Sequence, residues 1–190
     1  MKVVLIAVTS LDGRITPPGQ SGPGFASAAD QAWFPACLRH FDCSVMGRAT
    51  WEQIPREPGA PAAHAARLRM VMTRTPEAHA ARARPGALEF SDAAPADIVG
   101  ALAGRGFARC ALLGGGQIYR AFLDAGLVDA LWLTLEPVVL GGGTPLADGP
   151  VRNGRFRLVE TRALSADTLL LNYRRPDAAA VPLPSPDTLS

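Results

Sequence analysis

Residues 109–119 join an apolar, strand-like run to three consecutive glycines and the start of a helical pattern. Gly114, Gly115 and Gly116 leave backbone N–H groups uncovered, and a helix that begins there adds the positive end of its dipole. Such a turn can bind phosphate, although glycine also serves tight turns that bind nothing. Two common nucleotide motifs are excluded, because Tyr119 replaces the third glycine of a Rossmann fingerprint and no Gly-Lys-Ser/Thr follows.

Two carboxylates, Asp30 and Asp12, stand where acid–base chemistry is possible. Asp30 precedes Trp33, and a carboxyl group in an apolar cleft there would have a raised pKa and could supply a proton or anchor a substrate. Asp30 also lies three residues after Ser27, where an acidic side chain stabilises a helix start without any catalysis. Asp12, in the Ser-Leu-Asp-Gly run at 10–13, could simply close an Asx-turn. Both interpretations of each residue stay open.

Composition bounds the class of protein. A chain of 190 residues with 48% apolar and 19% charged residues predicts one globular domain with a substantial core. A formal net charge of +2 is too small to indicate nucleic-acid or membrane partners. We therefore expect a small-molecule substrate, no nucleic acid and no membrane.

The cysteines and histidines argue against a metal or disulfide framework. Cys37, Cys43 and Cys110 are odd in number, lie in apolar surroundings and contain no Cys-x-x-Cys, so free buried thiols are expected. The three histidines form no i, i+4 pair, and no metal site is predicted. The apolar run at 1–8 is too short for a signal peptide, and no run reaches the roughly 20 residues of a membrane span. These features predict a cytoplasmic protein.

Hydrophobic patterning predicts strands that alternate with helices, followed by a C-terminal β-hairpin. That order indicates an α/β fold with a mostly parallel central sheet and antiparallel edge strands. Loops are expected at 11–24 and 55–66, Pro35 should kink or break its helix, and the Pro-rich residues 176–190 should be a disordered tail after a domain at 1–175. Strands are expected at 2–8, 43–46, 68–73, 87–90, 109–113, 128–135, 155–163 and 168–175, and helices at 27–39, from 47, at 95–104 and at 116–125.

Four ordered segments resemble the dihydrofolate reductase-like superfamily. The run VTSLDGRI at 8–15 is similar to the start of the pyrimidine reductases of riboflavin biosynthesis, and VMGRATWEQIP at 45–55 is similar to the folate reductases. LGGGQIY at 113–119 suits both branches, and the segment at 126–146 resembles the riboflavin branch. The resemblance covers roughly residues 1–175 and implies a three-layer α/β/α fold, with a homodimer through the hairpin strands.

This resemblance implies NADPH as the cofactor. Arg48 and Thr50 would contact its phosphates, and a guanidinium at Arg74 beside the adenosine 2′-phosphate would favour NADPH over NADH. The Gly114–Gly115 peptide would be cis, and the glycines at 141–143 would be structural. The implied cofactor-binding residues are Ala7, Gly47, Arg48, Thr50, Thr73, Arg74, Gly114, Gly115, Gly116, Gln117, Ile118 and Tyr119. The implied substrate-binding residues are Ser10, Asp12, Asp30 and Phe34, with Asp30 and Asp12 as catalytic candidates.

The function expected from the resemblance is an NADPH-dependent reductase of a small heterocyclic or sugar-derived substrate. It resembles 5-amino-6-(5-phosphoribosylamino)uracil reductase, in which residues 10–15 would belong to a loop that closes over the reacting groups. One departure is that residues 54–61 replace the Asp-x-Pro-x-Leu stretch usual in those reductases. The alternatives are a divergent dihydrofolate reductase and a non-catalytic NADPH-binding sensor on the same fold.

Overall fold

An eight-stranded sheet organises the chain in a computed structural model that describes residues 1–54, 68–152 and 154–184. The strands are β1 (Lys2–Thr9), β2 (Cys43–Gly47), β3 (Leu68–Met72), β4 (Leu88–Ser91), β5 (Arg109–Leu112), β6 (Ala130–Leu135), β7 (Arg157–Ala163) and β8 (Leu169–Arg174). Their order across the sheet is β4-β3-β2-β5-β1-β6-β8-β7. The six strands from β4 to β6 pair in parallel, whereas β8 pairs antiparallel with both β6 and β7.

Helices cover both faces of the sheet, as the three-layer prediction requires. They are α1 (Ala28–Leu38), α2 (Arg48–Glu52), α3 (Pro95–Gly104) and α4 (Gly116–Asp124), with a 3₁₀ helix at Pro76–Arg82. One buried cluster contains Trp33 of α1 and Trp51 of α2, and the other contains Leu102 of α3 and Phe122 of α4. Because both faces are covered, β1 and β2 are buried almost throughout, which explains their near-continuous apolar sequence.

The start of α1 follows the sequence signal closely. Ser27 is the N-cap, and its side chain accepts a hydrogen bond from the backbone N–H of Asp30. The helix then continues through Pro35, so the predicted break does not occur there. Burial of Trp33, Cys37 and Leu38 against the sheet offsets the roughly 3 kcal/mol that an internal proline costs.

The expectation of a disordered tail is wrong for residues 176–184. Val181 and Leu183 are buried in the same cluster as Trp33, and the Val181 carbonyl accepts a hydrogen bond from the Asn172 side chain. Arg162 also donates to the Pro184 carbonyl. Apolar residues between the prolines thus have a surface to cover, which their composition did not indicate.

The remaining sequence expectations concern element bounds, loops, cysteines and membrane helices. Most predicted strand and helix bounds agree within two residues, but the 3₁₀ helix at Pro76–Arg82 was not predicted. The expected loop at 55–66 and residues 185–190 lie outside the described residues. All three cysteines are free and buried, as predicted. Among the described residues, no helix has the length and apolar character needed to cross a membrane.

Candidate active-site cleft

A cavity of about 1400 Å³ opens where the parallel strands end. Its walls come from the last residues of β1, β2, β3 and β4, from the turn after β5, and from α1, α2 and the start of α4. Ligands of open α/β sheets bind at this edge, because the loops and helix N-termini that follow parallel strands all converge there. The topology therefore brings distant parts of the sequence to one site.

The glycine turn forms one wall of the cavity. The Gly114–Gly115 peptide is cis, as the resemblance implied, and Gly114 has a φ of +98°, which favours glycine. A Cβ on Gly116 would lie 2.7 Å from the Pro145 carbonyl oxygen, so no side chain fits at that position. The α4 helix begins at Gly116 with no side-chain cap on its N-terminus. Its first backbone N–H groups are thus available to a ligand in the cleft.

A second glycine brings β2 and the turn together. Gly47 ends β2 and donates its backbone N–H to the Gly114 carbonyl over 2.7 Å. A Cβ on Gly47 would lie 3.0 Å from the Ile118 side chain, so the close approach of α2 to α4 depends on glycine here. The starts of both helices consequently face the same cavity.

Two arginines give this side of the cleft its positive charge. Arg48, about half exposed, makes contacts of 2.8 and 2.7 Å from its Nη1 atom to the two carboxylate oxygens of Glu52. Arg74 follows Thr73 directly after β3, and both line the cavity. An anion that binds Arg48 would compete with Glu52, whose carboxylate already occupies the guanidinium.

An aromatic cluster borders the Arg74 end of the cavity. His79, from the 3₁₀ helix, stacks on Phe90 with ring centroids 5.0 Å apart, and Trp51 meets both rings edge-on. His79 also lines the cavity. This cluster was not predicted from the sequence. Its three members lie about 28 and 11 residues apart along the chain, so they show no periodic pattern.

Asp30 projects from α1 into the opposite side of the cavity. Asp30 is only 7% exposed, and Phe34, one helical turn later, lines the same wall. The pKa of Asp30 is raised to about 6: burial is the largest influence, the Thr134 hydroxyl partly opposes it, and the negative charge of Glu136 adds to it. A carboxyl group with this pKa can hold or release a proton near neutral pH.

Glu136, directly after β6, is buried to 1% exposure behind this wall. Its Oε1 accepts hydrogen bonds from the Ser27 backbone N–H over 3.0 Å and from the Ser27 hydroxyl over 2.8 Å. Its Oε2 accepts from the Thr168 hydroxyl over 3.0 Å. Three donors fix this carboxylate between the start of α1, the end of β6 and the start of β8.

Asp12 and Ser10 lie outside the cavity and hold two loops together. Asp12 accepts hydrogen bonds from the Ser10 hydroxyl and from the backbone N–H groups of Leu140 and Gly141, at 2.6, 3.0 and 2.9 Å. The Ser10 hydroxyl bond, the largest of these influences, and the two backbone bonds lower the pKa of Asp12 to about 2. The glycines at 141–143 are therefore part of a structural contact, as expected.

The structure brings most of the predicted site residues together. Asp12, Ser10 and Gly114 do not line the cavity, and Tyr119 does so with its hydroxyl already donated to the Ile6 carbonyl over 2.6 Å. Burial raises the pKa of that phenol. The predicted residues that line the cavity are Ala7, Asp30, Phe34, Gly47, Arg48, Thr50, Thr73, Arg74, Gly115, Gly116, Gln117, Ile118 and Tyr119.

Sequence reasoning missed the polar residues that support Asp30. Thr134 and Glu136 alternate with leucines at the end of β6, so both share the sheet face that packs against α1. The sequence did contain an indication of these residues: two polar side chains on one face of an otherwise apolar strand. Which face met α1 could not be read from the strand alone.

Comparison with known proteins gives the same architecture. Solved structures of similar fold include the bifunctional diaminohydroxyphosphoribosylaminopyrimidine deaminase/5-amino-6-(5-phosphoribosylamino)uracil reductase of Thermotoga maritima (TM-score 0.70, 16% identity, 92% of this chain and 56% of that one). A pyrimidine reductase-like protein of Corynebacterium diphtheriae matches with a TM-score of 0.69 at 18% identity over 91% of both chains. Dihydrofolate reductase of Enterococcus faecalis, complexed with NADP(H), matches with a TM-score of 0.66 at 19% identity over 93% and 97%.

Sequence comparison identifies the family. The uncharacterized protein YyaP of Bacillus subtilis (strain 168) is 36% identical over 62 residues, which span about a third (33%) of each chain. The family model described as the RibD C-terminal domain matches residues 1–170, nearly all of the described chain. The fold, the cis glycine turn and this match agree, and the chain belongs to the RibD C-terminal domain family.

Proposed function

We propose that this protein is an NADPH-dependent reductase of a small heterocyclic or sugar-derived substrate. The reaction resembles that of 5-amino-6-(5-phosphoribosylamino)uracil reductase, the activity named for the Thermotoga maritima protein of similar fold. The observation that carries the proposal is the single cavity that joins the uncapped glycine start of α4 to the buried carboxyl group of Asp30. One end suits phosphate groups and the other suits a proton-bearing heterocycle.

The residues on the cofactor side fit a phosphorylated dinucleotide. Backbone N–H groups at the start of α4 and the side chains of Arg48 and Thr50 would hold the pyrophosphate, and Arg74 beside Thr73 would hold the 2′-phosphate. The glycine at 116 supports this fit, because the backbone there approaches Pro145 too closely for any Cβ. When bound, NADPH supplies the hydride.

On the substrate side, Asp30 would bind the acceptor and supply a proton. Its carboxyl group is desolvated against Phe34 and Trp33, so a substantial fraction stays protonated close to neutral pH. The nearby Thr134 hydroxyl favours the ionised form of this carboxyl group and so lowers its pKa.

The direct test is a titration with NADPH and with NADH, followed by nicotinamide fluorescence and by thermal shift. We expect tight binding that is selective for NADPH, followed by turnover with a pyrimidine or pterin acceptor. Binding of neither nucleotide would refute the cofactor assignment. Selective binding with no turnover on any acceptor would instead favour the non-catalytic sensor.

Arg48 provides the sharpest variant for the cofactor side. Arg48→Ala should weaken NADPH binding at least about tenfold, or about 1.4 kcal/mol, because it removes a cation from the phosphate-binding wall. Arg105→Ala is the matched control, since Arg105 pairs with Glu89 away from the cavity. Equal affinities of the two variants would show that Arg48 has no part in cofactor binding.

A divergent dihydrofolate reductase is the second candidate. It is favoured by one observation, the buried carboxyl group of Asp30 at the substrate end of the cavity, with the Thr134 hydroxyl near enough to lower its pKa. A carboxylate with an adjacent hydroxyl can pair with the ring nitrogens and amino group of a pterin. Competition by methotrexate distinguishes the two, because strong inhibition requires a pterin-shaped pocket.

A homodimer through β7 stays a prediction. β7 is the edge strand of the sheet, and Leu158 and Val159 on it are 55% and 41% exposed. An exposed edge strand with apolar side chains can pair with a second copy and thereby cover both. Light scattering on the purified chain should give twice the monomer mass of 19.9 kDa; a monomer at all concentrations would contradict it.

A further inference from the structure

Glu136 is a buried acidic residue that the proposed reaction does not use. It is 1% exposed and does not line the cavity, yet its carboxylate has three hydrogen-bond donors. Burying a carboxylate is costly, and donors of this number repay that cost only when their geometry is well fixed. Because Glu136 does not line the cavity, any role in the chemistry must come from its effect on neighbouring residues.

The hydrogen bonds of Glu136 lead directly to the helix start that carries Asp30. Glu136 accepts hydrogen bonds from both the backbone N–H and the hydroxyl of Ser27. The Ser27 hydroxyl oxygen in turn accepts a hydrogen bond from the Asp30 backbone N–H over 3.3 Å. Thr168, at the start of β8, holds the other carboxylate oxygen. The first turn of α1 is therefore tied to two strands of the sheet through one carboxylate.

We propose that Glu136 is a positioning residue for the chemistry of this cleft, which fixes the first turn of α1 through Ser27 and holds a negative charge close to the Asp30 carboxyl group. The proposal rests on the proposed function for its consequence on turnover. Its two physical parts, the anchoring of α1 and the charge near Asp30, can each be measured without a substrate.

The groups that face Asp30 lie at the end of β6 and on α1 itself. Glu136, after β6, raises the pKa of Asp30, and the Thr134 hydroxyl on β6 lowers it. On α1 itself, the Cys37 thiol is buried, and burial together with the Asp30 charge raises its pKa, so that it stays neutral. Of the groups whose influence on Asp30 is resolved in the described chain, Glu136 supplies the like charge.

Glu136→Gln separates charge from geometry. A glutamine keeps an oxygen for the two Ser27 donors and presents an amide that can donate to the Thr168 oxygen, so the anchoring contacts persist while the charge is lost. With ¹³C-labelled aspartate, and Asp30→Asn to assign the signal, the carboxyl titration of Asp30 should move down by about half a pH unit. The protonated fraction at pH 7 would fall about threefold.

Glu160→Gln is the matched control. Glu160 lies on β7, pairs with Arg162 and does not line the cavity, so its loss should leave the Asp30 titration unchanged. A titration of Asp30 that is the same in Glu136→Gln as in the wild type would overturn the proposal. An equal shift in Glu160→Gln would also overturn it, because the effect would then be general to the charge of the protein.

Glu136→Asp tests the anchoring part and covers the case in which the glutamine variant does not fold. The shorter side chain withdraws the carboxylate from Ser27 but keeps the charge. Amide hydrogen exchange in the first turn of α1 should then rise at least about tenfold relative to α4. Unchanged exchange would overturn the positioning role.

The outcomes are distinguishable from a failure of the proposed function. If the wild type binds no NADPH, the reductase proposal fails while the titration and exchange results still decide the role of Glu136. If NADPH binds equally to wild type and Glu136→Gln, the alkaline limb of the turnover–pH profile, on which a proton donor loses its proton, should move to lower pH in the variant. A profile that does not move while the titration does would confine Glu136 to a structural role.

Discussion

Asp12 and Asp30 are the same side chain in two regions with opposite surroundings. Asp12 lies between two loops, accepts three hydrogen bonds and has its pKa lowered to about 2. Asp30 lies in the wall of the cavity, where burial raises its pKa to about 6. The difference comes from burial together with hydrogen-bond donors: Asp30 is buried, whereas Asp12 is exposed and accepts three hydrogen bonds. Residue type alone therefore does not decide which carboxylate can exchange a proton at neutral pH.

The comparison also assigns the two residues different tasks. A carboxylate saturated with donors stabilises the paired loops at 10–16 and 138–146, and two of those loop residues, Ile15 and Thr16, line the cavity. A buried carboxyl group with few hydrogen-bond donors lowers the stability of the fold when it is ionised, but it can transfer a proton in a reaction. In this structure the loop containing Asp12 is held against the 138–146 segment and forms part of the cavity wall; its closure over the reacting groups stays a prediction.

Asp30→Asn should give the largest effect. Turnover should fall by at least about 100-fold, because an amide cannot donate a proton as the acid does. NADPH affinity should change less than about twofold, since the phosphate-binding residues lie on the other side of the cavity. Steady-state kinetics with a nucleotide titration on the same preparation measure both; full turnover in the variant would leave Asp30 with a helix-start role alone.

The same variant should be more stable than the wild type at pH 7.5. The Asp30 pKa is raised from 3.8 to about 6 in the folded state, so its stabilising contribution is complete below pH 4 and is lost as the pH rises through 6. Replacing the ionised carboxylate should therefore raise the free energy of unfolding by about 1–3 kcal/mol at pH 7.5 and by much less at pH 4. Urea unfolding at the two pH values measures it, and a destabilised variant at pH 7.5 would contradict the burial argument.

Asp12→Asn should act in the opposite direction and more weakly. An amide keeps one acceptor oxygen but turns an N–H₂ group toward a backbone donor of the 140–141 segment, so the melting temperature should fall at neutral pH. Because the Asp12 pKa is lowered, its contribution is complete above pH 4 and is lost as the pH falls through 2. The difference from wild type should shrink over that range; a constant difference would mean that the charge of Asp12 contributes nothing.

Local chemistry made part of this site predictable. Glycines at a strand end and a carboxylate after an N-cap can be recognised within about ten residues of sequence, and Gly116 and Asp30 both line the cleft. Two of the three partners of Asp12, Leu140 and Gly141, lie about 130 residues away, so its contact between the two loops could not be seen from its own turn. Thr168 likewise meets Glu136 only because β8 pairs with β6.

The tail shows the same limit in the fold. Prolines and small residues at 176–184 indicate little to bury when considered alone, but Val181 and Leu183 complete a surface made by α1 and the antiparallel strands. Whether the tail is buried depends both on the tail and on the surface that it covers, and the composition of the tail describes only the first of these. Strand positions, in contrast, followed from apolar runs long enough to be covered on both faces.

The position of β1 has a consequence for how the protein is made. β1 comes long before its partners in the sequence, yet it is central in the sheet and pairs with β5 at Arg109–Leu112 and β6 at Ala130–Leu135. Until about residue 135 has been synthesised, its apolar edges have no lasting partner. Contacts this distant in sequence slow folding and prolong the time for which an apolar strand is exposed to aggregation.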